Sequence, residues 1–444
     1  MNHDERISAM TEAPIPRLIF SLAIPSIISM LITSFYNTAD TYFVGQINTE
    51  ATAAVGINFA FMSIIQALGF FFGHGSGNYI SRQLGANNEE EAGIMASTGF
   101  FLAFFAGCIL AFLGYLFVEP LAMFMGSTPT ILAYAKSYLQ IILLGSPIMM
   151  CALVMNNQLR FQGSAAYGMV GIASGGILNV ILDPILIFTF DLGIAGAAYA
   201  TIIGQFISLI LLLAMSHKGG NLRISWQQFV PTITHCKEII AGGAPSLFRQ
   251  GFGSVGTIVM NVAAGAFGDA AIAAMSIVTR LSFLAGAAMI GFGQGYQPVC
   301  GFNYGARIYS RVREGFGFCL KFITGFTLIM SVLGYLYAEP IISIFRNDPE
   351  VIKVGVMGLR MQAYSFALTG LVVLTNMTLQ TTRHTTGAIL VAAARRGLFL
   401  IPLMLVLPRF WGLDGLVWCQ PISDLLAAIL SFYLIRIFFA KLPV

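Results

Sequence analysis

The stretch GHGSGNYISRQLGA at residues 73–86 returns at residues 293–306 as GQGYQPVCGFNYGA, so that Gly73, Gly75, Gly85 and Ala86 recur as Gly293, Gly295, Gly305 and Ala306. The offset of 220 residues holds outward in both directions: Pro25 recurs as Pro245, Ala53-Ala54 as Ala273-Ala274, Glu119-Pro120 as Glu339-Pro340, and Pro129 as Pro349. A duplicated half within an apolar chain is how many secondary transporters are built, with the substrate site between the halves. Chemistry is therefore sought first where the halves differ.

The 444 residues are 57% hydrophobic and only 9% charged. A soluble domain carries about 25% charged residues, so too few charges remain here to cover a water-facing surface. A polytopic membrane protein is expected. The net charge of +4 gives no ground for a nucleic-acid partner, because the basic residues sit at helix ends rather than in one patch. Cys108, Cys151, Cys236, Cys300, Cys319 and Cys419 are scattered without a CxxC and read as free thiols in apolar helices. The histidines show no HExxH and mostly fall in polar segments, so no enzyme is expected. The first residues include Asp4, Glu5, Glu12, Pro14 and Pro16 and lack a small-residue cleavage site, so the first helix is expected to stay as a span.

A span needs roughly 20 apolar residues. Breaks at charges, Pro, Gly and Asn give twelve, near residues 17–43, 52–80, 93–117, 131–155, 165–188, 193–215, 238–262, 270–300, 314–337, 352–377, 385–407 and 413–437. Six per half returns the chain to its starting side. The expected fold is thus all-α and integral to the membrane: twelve transmembrane helices in two six-helix lobes, related by a pseudo-twofold axis along the membrane normal. The expected lobes are residues 1–215 and 238–444, joined by a cytoplasmic linker at 216–237. Lys and Arg crowd one set of segments (Arg17, Arg82, Arg160, Arg223, Lys237, Arg307, Arg311, Arg313, Arg383, Arg436), while the other set carries Lys136, Arg346, Lys353 and Arg409. That asymmetry predicts a multi-pass protein of the cell's inner (plasma) membrane with both termini in the cytoplasm.

Ionisable residues inside the spans are Asp40, Asp183, Asp424, Arg249, Arg280, Arg360, Arg395 and Arg396. Each costs about 2.5–3.5 kcal/mol at a helix centre, which makes it a candidate for function. Asp40 lies one turn after Tyr36 on the first span, and Asp183 one turn after Asn179 on the fifth, each pair on one helix face. Pro184 follows Asp183 and frees the Val180 carbonyl. On the sixth span Thr201 adds a hydroxyl at the same depth. Hard oxygen ligands suit a small cation such as Na⁺, and a desolvated carboxylate also takes up a proton. The bland alternative is a helix cap at Asp40 and a local hydrogen bond at Asp183. At the 220-residue offset Asp40 becomes Met260, Asn179 becomes Phe399 and Asp183 becomes Leu403, so the cage exists in one half alone.

With these residues in view the chain resembles the MATE (multidrug and toxic compound extrusion) transporters over nearly its whole length. The likeness rests on the two six-helix halves, Pro25…Tyr36…Asp40, Gly73 to Ala86, and Asn179-x-x-x-Asp183. It implies antiport, in which an inward Na⁺ or H⁺ gradient drives export of amphipathic, often cationic, compounds. It also implies an N-lobe cation site at Asp40, Asn179, Asp183 and Thr201, with Tyr36 as a neighbour, and Pro25 as either a conformational switch or a static kink. Another branch of the family has acids on helices seven and ten; here helix ten has none and helix seven has only Glu238 near its inner end. No cofactor is expected beyond the exchanged ion. Expected partners are amphipathic small molecules and membrane lipids, with no nucleic acid, and the protein is expected to be monomeric.

Other features read as follows. Arg395 or Arg396 can pair with Asp424, which aligns roughly with Gln205; a structural staple is the favoured reading. His74, in a small-residue helix end, reads as a hydrogen-bonded interfacial histidine, and Glu89-Glu90-Glu91 as a solvated helix cap. Arg249, Arg280 and Arg360 keep open an alternative, a flippase of lipid-linked oligosaccharides, which would need a basic central cavity.

Overall fold

A computed structural model describes residues 3–346 and 348–443. The membrane helices are α1 (Ile15–Gly45), α2 (Thr49–Gly85), α3 (Glu89–Leu116), α4 (Leu132–Phe161), α5 (Ala165–Pro184, continued by a wide π turn Ile185–Thr189) and α6 (Gly193–Ser216). The second half supplies α7 (Ile233–Gly265), α8 (Asp269–Gly305), α9 (Tyr309–Leu336) and α10, whose arms Pro349–Phe366 and Thr369–Thr381 meet at a 52° bend. Helix α11 begins as Thr385–Ala393 and passes through a π turn at Ala394–Leu398; the run Leu400–Lys441 then breaks at Gly412 (φ 57°, ψ −135°), where α11 gives way to α12. The protein is therefore an all-α, multi-pass membrane protein of twelve helices in two lobes. A short helix, His3–Glu12, precedes α1.

The sequence repeat extends to the backbone. Helices α2 and α8 have the same length and start 220 residues apart, as do α3 and α9. Left-handed residues recur in register as well: Asn87 (φ 60°) with Arg307 (φ 61°), and Gly163 (φ 83°) with Arg383 (φ 66°). An arginine in that region is unusual, so the turn geometry of the repeat outweighs local preference. The helices are also well started. Asn48 accepts from the Ala51 amide at 2.6 Å, and Asp348 accepts from the amides of Glu350 and Val351, each satisfying donors that a helix start leaves orphaned.

The lobes join at the end that carries both termini. There one hydrophobic core runs through both, with Ile15, Ile19, Leu22 and Ala23 of α1 among Met289, Phe292, Tyr296 and Val299 of α8. Toward the other end the core divides: Val44, Ile65, Tyr138 and Leu139 belong to a cluster of the first lobe, and Met260, Met275, Leu400 and Met404 to one of the second. Glycines set the closeness of the joined end. A Cβ on Gly85 would fall on the Phe302 carbonyl and one on Gly305 on the Arg82 carbonyl, a pair related by the repeat. Gly295 likewise lies against the Ala23 backbone and Gly75 against that of Ile239.

Polar side chains then fasten this end. Glu238 of α7 bridges Arg82 of α2 at 2.9 Å and Arg383 at 2.7 Å. Arg160 of α4 donates to Gln294 of α8 at 2.6 Å and to His74 Nε2 at 3.0 Å. Arginine can only donate, so the ring proton of His74 sits on Nδ1, 2.6 Å from Ser246 Oγ of α7. His74 is thus the interfacial histidine expected. The segment between α6 and α7 begins at His217 and ends at Thr232, where α7 starts earlier than the sequence suggests because the Thr232 hydroxyl caps it. Glu91 is more than a solvated cap: it accepts from Tyr79 at 2.9 Å and pairs with His235 at 2.8 Å, tying α2, α3 and α7 together.

Candidate cation site

Helices α1, α4, α5 and α6 bring one polar cluster together in the divided half of the first lobe. Asp40 is 7% exposed, Asn179 2%, Thr201 3% and Asp183 fully buried. Asn179 Nδ2 donates to Asp183 Oδ1 at 3.4 Å and to Thr201 Oγ1 at 3.3 Å, so the α5 and α6 residues share one network. Asp40 faces it from α1, near enough to Asp183 for their charges to act on each other. Tyr36 lies over Gly176 of α5, where a Cβ would come 2.9 Å from its ring, and its hydroxyl accepts from Gln205 of α6 at 3.5 Å. All five residues singled out from the sequence are in this cluster.

Tyr138 of α4 is the member that sequence reasoning missed. Its hydroxyl lies 3.4 Å from Asp40 Oδ2, to which it donates, and 3.6 Å from Met62 Sδ, with Asp183 and Thr201 close by. A tyrosine in an apolar helix carries no mark that separates it from a core tyrosine. Only the fold, which brings its hydroxyl to Asp40 from 98 residues away, exposes its role.

Three buried oxygens in the cluster lack a hydrogen-bond partner: Asp40 Oδ1, Asn179 Oδ1 and Asp183 Oδ2. No lysine or arginine pairs with either carboxylate among the described residues. Buried acids without a base are costly, and the orphaned oxygens come from two helices and include both acids. The donor set is hard oxygen throughout, which fits a small hard cation. A proton on either carboxylate would satisfy the same oxygens.

The second lobe has its own buried polar cluster on the last two helices, at other positions of the repeat and built differently. There Asp424 of α12 is fully buried and accepts four bonds: from Arg395 Nε at 2.7 Å, Ser365 Oγ at 2.8 Å, Gln420 Nε2 at 2.8 Å and Gln362 Nε2 at 3.0 Å. Arg395 is the partner, and Arg396 is not. At the 220-residue offset these two positions are Gly175 and Gly204, beside rather than on Gln205. Those glycines touch: a Cβ on Gly175 would lie 2.5 Å from the Gly204 carbonyl, and one on Gly204 2.7 Å from that of Gly175. One lobe closes its last two helices glycine on glycine, the other with a buried ion pair.

Pro25 lies inside α1, which continues unbroken from Ile15 to Gly45. Of the three arginines that kept a pyrophosphate cradle in view, Arg249 donates to Asn376 at 3.0 Å, Arg360 lies over the Tyr335 ring at 5.4 Å and Arg280 is exposed. Each has a different setting.

The architecture and the duplicated register agree with comparison to known proteins. A family model, MatE, matches residues 25–185 and again residues 245–406, one copy per half. The multidrug export protein MepA of Staphylococcus haemolyticus is 26% identical over 434 residues, covering 97% of this chain and 96% of its own. Its namesake in Staphylococcus aureus strain MSSA476 is 25% identical over 438 residues, covering 98% and 97%. Among solved structures, a MATE transporter in a bent conformation superposes with a TM-score of 0.92 at 25% identity over 98% of each chain. An outward-facing multidrug resistance MATE family transporter also gives 0.92, at 24% identity over 99% of this chain and 98% of that one. Matched twice by one family model at the spacing of its own internal repeat, this chain belongs to the MatE family.

Proposed function

We propose that the protein is a cation-coupled antiporter that exports amphipathic small molecules, drugs or toxic metabolites, by alternating access. Both termini, and the end where the lobes join, face the cytoplasm in this reading. The observation that carries it is the pair of buried acids, Asp40 and Asp183, with three orphaned oxygens and no basic partner. Such a pair is stable only when it holds a positive ion, Na⁺ or H⁺, which is the exchanged ion here and not a resident cofactor.

The lobes, residues 1–215 and 238–444, then act as two bodies. In the state described, the Glu238 bridge, the Arg160–His74–Ser246 chain and the glycine contacts close the cytoplasmic side while the outer cores stay apart. Cation arriving from outside at Asp40 and Asp183 favours this outward-open state, and substrate bound from inside favours the reverse; the two couplings are equal in free energy. Pro25, in α1 between Asp40 and the joined end, is the proposed switch between them. One charge crossing the membrane supplies about 2.3 kcal/mol per 100 mV, enough for a roughly fifty-fold gradient of a neutral solute.

The test is efflux of a fluorescent cationic dye from vesicles under separately imposed Na⁺ and pH gradients. Wild type should respond to at least one gradient and Asp40→Asn to neither. Undiminished gradient-driven efflux by Asp40→Asn would overturn the coupling, and dye movement equal to protein-free vesicles under both gradients would overturn export.

A further inference from the structure

The linker between the lobes is built onto one face of the first lobe. Its backbone is clipped there at three places: the Leu222 amide donates to Gln162 Oε1 at 2.7 Å, the Ser225 amide to Ser97 Oγ at 3.1 Å and the Val230 amide to Thr98 Oγ1 at 3.2 Å. The clips hold a single 3₁₀ turn, Trp226–Gln228, against α3. Trp226 packs edge-on to Phe101 at 4.9 Å between ring centroids and lies 5.2 Å from Phe229, which is itself 5.5 Å from Phe101. The second lobe lacks this platform. At the 220-residue offset Ser97 becomes Gly317, Thr98 Phe318, Phe101 Lys321 and Phe105 Gly325.

Helix length sets the depth of the turn. The 28 residues of α3 span about 42 Å, roughly 12 Å more than a hydrocarbon core of about 30 Å. Residues 99–116 carry no charge, whereas residues 89–98 hold three glutamates with Ser97 and Thr98, so the excess lies at the Glu89 end. The hydrocarbon then begins near Ser97 and Thr98, where the linker is clipped. Trp226, at the level of Phe101, sits at that boundary, and an amphipathic indole ring favours such a place. Trp226 is 61% exposed and Ile233 76%. Phe104, Phe105, Ile109 and Phe112 are exposed further along α3, so the apolar patch of the linker continues the helix surface that lipid covers.

The charge around the patch has one sign. Residues 216–237 include Lys218, Arg223 and Lys237, all exposed, and no aspartate or glutamate. Glu91, the acid that bonds to this region, is paired with His235, and the exposed Glu89 and Glu90 lie at the water end of α3. Apolar rings at the boundary, flanked by cations, fit a membrane surface with negative headgroups. We infer that the linker is an interfacial strap that binds anionic phospholipid: Lys218, Arg223 and Lys237 take the phosphates while Trp226 and Phe229 lie at the acyl boundary. Neither the exchanged ion nor the direction of insertion enters into this contact.

Trp411→Phe with Trp418→Phe leaves Trp226 the sole tryptophan, and both changes fall on exposed rings. The full chain is reconstituted in phosphatidylcholine vesicles, and Trp226 fluorescence is read with phosphatidylcholine brominated either near the headgroup end of its acyl chain or near the middle. Shallow bromines should quench more strongly than deep ones. Quenching by neither would put the turn in water and overturn the strap. Brominated phosphatidylglycerol, as a minor fraction, should then quench more than the same fraction of brominated phosphatidylcholine. Arg223→Gln and Lys237→Gln should each lower that preference by up to about fivefold, the worth of one basic residue at an anionic surface. Equal quenching by the two lipids would leave an aromatic anchor without headgroup recognition and overturn anionic-lipid binding. A preference that survives the combined change of Lys218, Arg223 and Lys237 to Gln would overturn the assignment to these residues. Unchanged thermal midpoints check the fold; were the single-tryptophan protein not to fold, the difference in emission between wild type and Trp226→Phe reads the same quenching.

Discussion

The two lobes share a backbone register and differ in where and how they bury charge. In the first, α1, α4, α5 and α6 gather two acids and no base; in the second, their counterparts gather two arginines and one saturated acid. The glycine contact of Gly175 with Gly204 becomes the ion pair of Arg395 with Asp424. In the proposed mechanism an intramembrane acid is not by itself a coupling site: Asp40 and Asp183 have oxygens to spare, whereas every bond Asp424 can make is already made.

Exchanging the acids one at a time tests that distinction most severely. Asp40→Asn should abolish gradient-driven efflux and leave thermal stability unchanged or higher, since it removes a buried charge that lacks a partner. Asp424→Asn should do the opposite, costing about 3–5 kcal/mol because it strands a buried arginine, while surviving protein keeps its cation dependence. The double change Arg395→Met with Asp424→Leu should recover most of the loss, because apolar pairs replace buried ion pairs at little cost. Thermal midpoints and efflux measured on the same preparations check all three. An Asp424→Asn protein that is stable yet uncoupled would erase the contrast between the lobes.

Much of this was legible before the fold was known, and the exceptions have physical causes. Twelve spans, their duplication and the acids of α1 and α5 stand out because a charge in an apolar run is conspicuous. Tyr138 does not, being apolar in composition and polar only at its hydroxyl. The choice between Arg395 and Arg396 was equally hidden. They sit in a π turn, which shifts the helix face that adjacent residues present. Glu91 looked solvated because its partner His235 is 144 residues away and reaches it only through the packing of α3 beside α7. Sequence pattern locates buried charge; it does not reveal which distant hydroxyl or imidazole will answer it.

Tyr138 offers a finer test, since its position corresponds to Gly358 in the lobe without the cage. In the proposed mechanism its hydroxyl competes with the cation for Asp40. Tyr138→Phe should therefore tighten cation binding, by up to about tenfold if the 3.4 Å bond is worth about 1.5 kcal/mol or less. The half-saturating cation concentration for efflux should fall, and maximal turnover should fall with it as release slows. A rise in that concentration would mean that Tyr138 holds the cation rather than its ligand.

The smallest expected effect separates two prolines that the repeat makes equivalent. Pro25 and Pro245 each lie inside a first helix of their lobe, and each removes one backbone hydrogen bond there. Pro25 stands between the cation cluster and the contact of Ala23 with Gly295, so bending at it can carry ion occupancy to the lobe junction. Pro245 is buried next to Ser246, which bonds to His74 and Gln380 at the junction itself, and in the proposed mechanism its lobe carries no exchanged ion. Pro25→Ala should slow efflux several-fold under a gradient while leaving cation binding intact, and Pro245→Ala should change efflux little. Alanine restores the missing helix hydrogen bond in both variants, so a general gain in rigidity would slow them equally. Only a switch confined to the lobe that holds the ion predicts that the two rates part.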